Sequence, residues 1–393
     1  WKNSVYPGEQ NCRSCHMPRT EDAIILASEY IFLPAHSPFG KHHLAGGNTF
    51  MLRLMRDHID ELGIPATVEQ FDSTIARSLR QLHSAVDLDV ELASRSTDTL
   101  AVDVRLTNRT GHKFPSGYPS RRAFLRVVVT NADGDTLFRN GLIDATNEVI
   151  GHDVGYEPHR DVITAEDQVQ IYEMVMGDVN GNVTTVLERA ATPLKDDRLP
   201  PVGFTSTHPS YDTAVVAGVD PSDVDFNLDA LGNEGSGSDI VHVHIPMHGY
   251  DGNVRVVASI HYQPAPPAWN AEMFTNHSAA IDSFRVMYHD AEGTPELIAA
   301  DSLSDDRTGI HERDASEGIR LFPNPTNDGV VTITGDGLRT ITVYDAAGKR
   351  VSTMAVQRSG PFTFTLPAIA GTYHVVVSTA AGDRLLRVVR TRR

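Results

Sequence analysis

From Val86 onward the hydrophobic period of this chain is two, and that period limits what it can fold into. Leu88-Asp89-Val90-Glu91-Leu92 and Leu100-Ala101-Val102-Asp103-Val104-Arg105-Leu106 alternate large apolar residues with polar or small ones. Such alternation marks strands with one buried face. Residues 124–129 form a more continuous apolar strand that leads into Asn131-Ala132-Asp133-Gly134-Asp135, a hairpin turn. Further strands are expected over residues 171–176, 239–245, 254–262 and 281–288. Residues 86–300 therefore read as an all-β domain, most simply a β-sandwich of two sheets.

Before Val86 the pattern is loop and helix. Residues 48–62 predict a helix capped by Asn48 or Thr49, with Leu52, Met55, Ile59 and Leu62 on one stripe and Gly63-Ile64-Pro65 as its stop. Thr67-Val68-Glu69-Gln70 is a capping box that opens a second helix with Phe71, Ile75, Leu79 and Leu82 on its stripe. Residues 301–317 carry Asp305, Asp306, Glu312 and Asp314 with almost nothing apolar and read as a linker. Residues 318–393 hold six short strands separated by Asp345-Ala346-Ala347-Gly348 and Ala380-Ala381-Gly382-Asp383, and their number and length suit a small immunoglobulin-like β-sandwich. Arg384, Arg387, Arg390, Arg392 and Arg393 make a basic end on a chain whose formal net charge is −17. That balance argues against a nucleic-acid partner, and no apolar run is long enough to be a transmembrane segment.

Both cysteines lie in Asn11-Cys12-Arg13-Ser14-Cys15-His16-Met17-Pro18, which leaves none for a disulfide framework. Cys-x-x-Cys-His is the attachment signature of a c-type haem: two thiols add to the vinyl groups and the histidine binds iron from one face. A thioredoxin-type dithiol would need a βαβ context, and a zinc site would need two further ligands from histidines alone. Cys12 and Cys15 are thus the expected covalent anchors of haem c, with His16 as one axial ligand. Candidates for the opposite ligand are His42, which precedes a Gly-Gly-Asn turn, and His112, which follows a glycine and precedes Phe114-Pro115. His43 and His36 are weaker candidates, and Met51 and Met55 read as helix core.

Two acidic stretches are weighed against calcium. Residues 220–239 read as a solvated surface excursion, the alternative being calcium held through its carboxylates, and Asp178-Val179-Asn180-Gly181-Asn182 as a hairpin turn, because it lacks the full calcium-ligand pattern. His242 and His244 share a strand face, His248 follows, and His261 lies on the expected neighbouring strand. Together they are a candidate zinc or copper site, the alternative being histidines that merely fill a half-buried face.

Two resemblances add to this reading. Leu321-Phe322-Pro323-Asn324-Pro325, Ile341-Thr342-Val343-Tyr344-Asp345 with Gly348-Lys349, and Gly371-Thr372-Tyr373 resemble the type IX secretion C-terminal sorting domain. That implies export by the type IX secretion machinery to the outer-membrane surface or the extracellular space. Trp1 to Tyr6 with Cys12 to Pro18, His42 to Asn48, Thr110 to Arg122 and Lys195 to Pro201 resemble segments of multihaem c-type cytochromes. This implies further haems bound by sequence upstream of residue 1. The expectation is an exported c-type cytochrome that hands electrons to redox partner proteins or extracellular acceptors, with self-assembly left open. It makes no residue an acid, base or nucleophile. The alternatives are a haem enzyme with an open axial site and a cell-surface binding β protein. No nucleophile elbow, phosphate-binding glycine loop or His-Glu-x-x-His helix is present.

Overall fold

A computed structural model describes residues 1–391 except 9, 152–154, 307–318, 336, 347, 357–359 and 380–381. Glu312, Asp314, Arg392 and Arg393, named above, lie outside the described residues, as do Ala347, Ala380 and Ala381 of the two turns. The chain divides into two compact units, Trp1–Arg307 and Thr308–Arg393. The fold is mainly β, as the alternation predicts.

Six long strands build the first unit: β1 (Val86–Arg95), β2 (Thr99–Asn108), β3 (Arg122–Asn131), β4 (Ser238–Pro246), β5 (Val254–Gln263) and β6 (Glu296–Asp305). One sheet runs β1-β2-β4 and ends on the short strand Val162–Ile163, which pairs parallel to β4. The other runs β6-β5-β3 and ends on Thr136–Arg139. Their inward residues meet in one core: Leu88, Val102, Val104, Val241 and Val243 from the first sheet, Leu125, Val127, Val256 and Ile260 from the second. Every second residue of a strand reaches that core, so the period-two sequence and the sandwich are one fact. Asp178 closes the turn at 178–182 on itself, its Oδ1 accepting the Asn180 and Asn182 N–H groups at 2.8 and 2.9 Å.

The helical segment has α1 (Cys12–His16), α2 (Thr49–Asp57), α3 (Ile59–Leu62) and α4 (Val68–His83). Asn48 caps α2 by accepting the Met51 N–H at 3.0 Å. The helix expected over 48–62 breaks at His58, and its second piece ends on Gly63, whose φ of 63° a side chain would strain. The buried stripe is also displaced, to Phe50 and Leu54. Phe50 packs on Tyr288, 5.0 Å between ring centres, and this contact fixes the rotation of α2. The capping box of α4 forms as expected: Thr67 Oγ1 accepts the Gln70 N–H, and Gln70 Oε1 accepts the Thr67 N–H.

Three readings are corrected. Residues 281–288 are not a strand but lie in α6 (Ala279–Asp290), which follows α5 (Pro267–Phe274). Ser278 caps α6 at the Ile281 N–H, and Phe284, Met287 and Tyr288 sit at helical spacing against Phe50 and Leu54. Its β-branched and aromatic composition had favoured a strand, but packing against α2 overrides that preference. Asp301 to Asp305, read as connector, form the second half of β6; in this edge strand only Ile298 is buried, and Leu303 is the one apolar residue of its second half. Residues 171–176 split at Glu173 into Ile171–Tyr172, paired to β3, and Met174–Gly177 in a separate three-stranded sheet.

In the second unit, Arg320–Phe322, Val330–Thr334 and Phe362–Thr365 form one sheet. Arg350–Ala355, Leu338–Asp345, Gly371–Thr379 and Gly382–Arg390 form another. Val331, Ile333 and Phe364 from the first share a core with Ile341, Val343, Val375, Val377 and Val388 from the second. It is a small β-sandwich.

Candidate functional site

The two thiols are carried by α1, a single turn stabilised at its start. Asn11 Oδ1 accepts the Arg13 N–H at 3.0 Å, and Ser14 Oγ accepts the Asn11 N–H at 3.3 Å. Three residues of helix bring Cys12 and Cys15 to one face. Both are free and exposed, and His16 follows directly. All three line a cavity of about 430 Å³.

The facing wall is the loop after β2. Asn108 organises it: Nδ2 donates to the His112 and Leu199 carbonyls at 2.7 and 2.8 Å, while Oδ1 accepts the Thr110 N–H at 2.7 Å. Phe114 and Leu199 exchange backbone hydrogen bonds at 2.9 and 2.8 Å, and the buried Lys113 Nζ pairs with Asp196 Oδ2 at 2.9 Å. The N-terminal stretch is tied to the same wall through Val5 N–H to Val202 O and Tyr6 O–H to Arg109 O. Leu82, Ala85, Phe114 and Tyr262 supply apolar lining, and Gly46 contributes no side chain where a Cβ would meet open space.

Across this cavity the rings of His16 and His112 lie 6.3 Å apart, centre to centre, with planes 24° from parallel. Each ring is anchored through Nδ1 to a backbone carbonyl: His16 to Ala45 at 2.7 Å, His112 to Lys113 at 3.1 Å. Those bonds set the tautomer with Nδ1 protonated and leave each Nε2 as the basic nitrogen. Burial, opposed by the Lys113 carbonyl and aided by His16 and Arg121, holds the His112 pKa below its ordinary value, so its ring is neutral at physiological pH.

The other named histidines sit elsewhere. His42 and His36 line a separate recess with Arg13, Met17 and Phe39, the His42 ring standing 6.2 Å from Phe39. His43 lies in a third recess with Cys15, Arg77 and Arg80. Met51 and Met55 are half-buried on α2.

The four-imidazole site does not assemble. β4 pairs with β2, whereas β5 belongs to the opposite sheet, so His261 is no neighbour of His242. His261 stacks on Phe124 at 5.5 Å instead. Burial, with Arg126 adding to it, lowers its pKa to about 4. His242 faces carboxylates: Asp103 Oδ1 at 2.7 Å on Nδ1 and Asp225 Oδ2 at 2.9 Å on Nε2.

Beside it lies a buried network whose assembly around His159 no local pattern announced. His159 is held by Asp197 at Nδ1 and Asp223 at Nε2, each at 3.0 Å, with Asp239 Oδ2 at 3.9 Å. Burial favours its neutral form, but the bonds to Asp197 and Asp223, helped by Asp239, overcome that and raise its pKa to about 10. Lys195 Nζ lies 3.3 Å from both Asp197 and Glu173. These residues are scattered over eighty positions; Asp223 and Asp239 belong to the acidic stretch read as a solvated excursion, a reading corrected here because Asp223, Phe226, Asn227 and Asp239 are buried.

No family model matches the chain, and no curated protein matches it. Among solved structures it is similar to a penta-heme cytochrome c552 from Thermochromatium tepidum, 17% identical over 76% of this chain, with a TM-score of 0.39. This chain spans 48% of that protein's length. A bacterial adhesin from Mobiluncus mulieris is 7% identical over 75% of this chain and 80% of its own, with a TM-score of 0.23. The T6 backbone pilin of Streptococcus pyogenes is 9% identical over 78% and 52%, with a TM-score of 0.20. No helix among the described residues is long and apolar enough to cross a membrane.

Proposed function

We propose that this chain is an electron carrier in which Cys12 and Cys15 hold a haem c and His16 and His112 bind its iron from opposite faces. The observation that carries this is the pair of nearly parallel imidazoles 6.3 Å apart across the cavity that both thiols line. A metal ion held by two imidazole nitrogens at about 2 Å each puts the ring centres about 6 Å apart. The Ala45 and Lys113 carbonyls fix each ring through Nδ1, as outer partners of metal-bound histidines do. Gly46 leaves space for a flat ring, and Leu82, Phe114 and Tyr262 keep water from its edge. A bound haem supplies a reversible one-electron couple at its iron. The protein fixes the ligands, so little moves when the charge changes.

We read the second unit as an export address of the type IX kind, which would place the carrier at or outside the cell surface. His42 and His43 line recesses other than this cavity and would be available to further haems. Redox proteins or extracellular acceptors would then be the partners.

The test is the protein produced with haem-maturation machinery. The expected spectrum is low-spin and six-coordinate, with haem that stays on the chain through acid–acetone extraction. Replacing Cys12 and Cys15 by Ala removes the covalent haem completely. His112→Ala gives a high-spin form that binds carbon monoxide. A protein without covalent haem overturns the proposal, and a wild-type form that is already high-spin and binds carbon monoxide favours an enzyme over a carrier.

A further inference from the structure

We propose that His159, Asp223 and Asp239 bind one divalent first-row cation of the zinc or manganese kind, in a site separate from the cavity of Cys12, Cys15 and His16. One donor atom from each of the three lies within 4.8 Å of the others. One imidazole and two carboxylates form a mixed nitrogen and oxygen set that suits such ions.

The immediate surroundings are those of a built site. Asp197 Oδ2 holds His159 Nδ1 at 3.0 Å, the arrangement that orients a ligating histidine and makes its Nε2 the donor. Asp223 Oδ1 is occupied by the Asp225 and Phe226 N–H groups at 2.8 and 2.9 Å, which turns Oδ2 toward His159 Nε2. The Tyr172 hydroxyl donates to Asp239 Oδ2 at 2.6 Å. Phe226 packs edge-on to the His159 ring at 5.1 Å.

Asp239 supplies the independent observation. Its residue is fully buried, and its Oδ1 has no hydrogen-bond partner. A buried carboxylate oxygen left bare is costly, and a cation beside the carboxylate would answer it. Charge counting points the same way. Lys195 answers Asp197, whereas a dication would answer Asp223 and Asp239 together and leave His159 neutral. The carboxylates that favour a proton on His159 equally favour a divalent ion in its place.

A second trio, Asp161, Asp225 and His242, lies on the same three chain segments and is half-exposed. It provides the internal control. The experiment is element analysis and Zn²⁺ titration by calorimetry on the full-length, haem-loaded chain after exhaustive chelation. The expected results are one Zn²⁺ per chain, a thermal midpoint raised by several degrees at saturation, and binding weakened at least about tenfold in Asp239→Asn and His159→Gln. His242→Gln should leave that stoichiometry and affinity unchanged. Where His159→Gln fails to fold, the isosteric Asp239→Asn and the wild-type midpoint decide. No stoichiometric Zn²⁺ and no shift of the wild-type midpoint overturns the proposal. So does binding that survives in Asp239→Asn but is lost in His242→Gln.

Discussion

His112 is half-buried and the His159 ring buried, and the atoms around them give them opposite chemistry. His112 meets a backbone carbonyl and another imidazole, so desolvation prevails and the ring stays neutral. His159 meets carboxylates at both nitrogens, and their field reverses the same desolvation. A neutral ring with a free Nε2 is a ligand; a ring between carboxylates is a cation or the place of one. His261 extends the series: half-buried against Phe124 with Arg126 nearby, its pKa falls to about 4. Burial alone does not decide a histidine's role. Its partners do.

The contrast can be broken most forcefully at Asp197, which joins His159 to Lys195. Asp197→Asn should cost about 3–5 kcal/mol of unfolding free energy in a urea titration, because it removes the buried carboxylate that His159 and Lys195 share and leaves Lys195 with the carboxylate of Glu173 alone. A loss below about 1 kcal/mol would show that the network is not coupled as described. The next effect is at His261. Its folded-state pKa of about 4 lies below the unfolded value of 6.5, so the unfolded chain takes up the proton first. Its contribution is complete above pH 6.5 and lost as pH falls from there toward 4, for about 3 kcal/mol. His261→Phe should flatten the stability profile across that window; an unchanged slope would assign the loss to other groups. The smallest effect is at Tyr172, whose hydroxyl serves Asp239. Tyr172→Phe should cost about 1–2 kcal/mol by calorimetric unfolding. If it is neutral, Asp239 is already neutralised by another route.

The strands and caps were legible because their signals are local. Leu88 to Leu92 and Leu100 to Leu106 alternate and are strands, and Thr67 with Gln70 closes the box it spells. The misread elements are those where a distant partner overrules the local preference. Residues 281–288 are helical because α2 packs on them, and Asp301 to Asp305 are a strand because β5 supplies the hydrogen bonds. The site divides in the same way.

By itself the sequence placed Cys12, Cys15 and His16 together, since three residues of chain fix their separation whatever the fold. It also named His112, but could not rank it above His42. Only the tertiary structure brought the His112 ring to 6.3 Å from His16, through Asn108 and the Leu199 strand pairing. Only the tertiary structure gathered His159, Asp197, Asp223 and Asp239, which share no spacing and meet because β3, β4 and the loops between them fold to one place. Local geometry is written in bond lengths and helical pitch. Contacts between distant residues depend on how the sheets pair, and no short stretch of sequence contains that information.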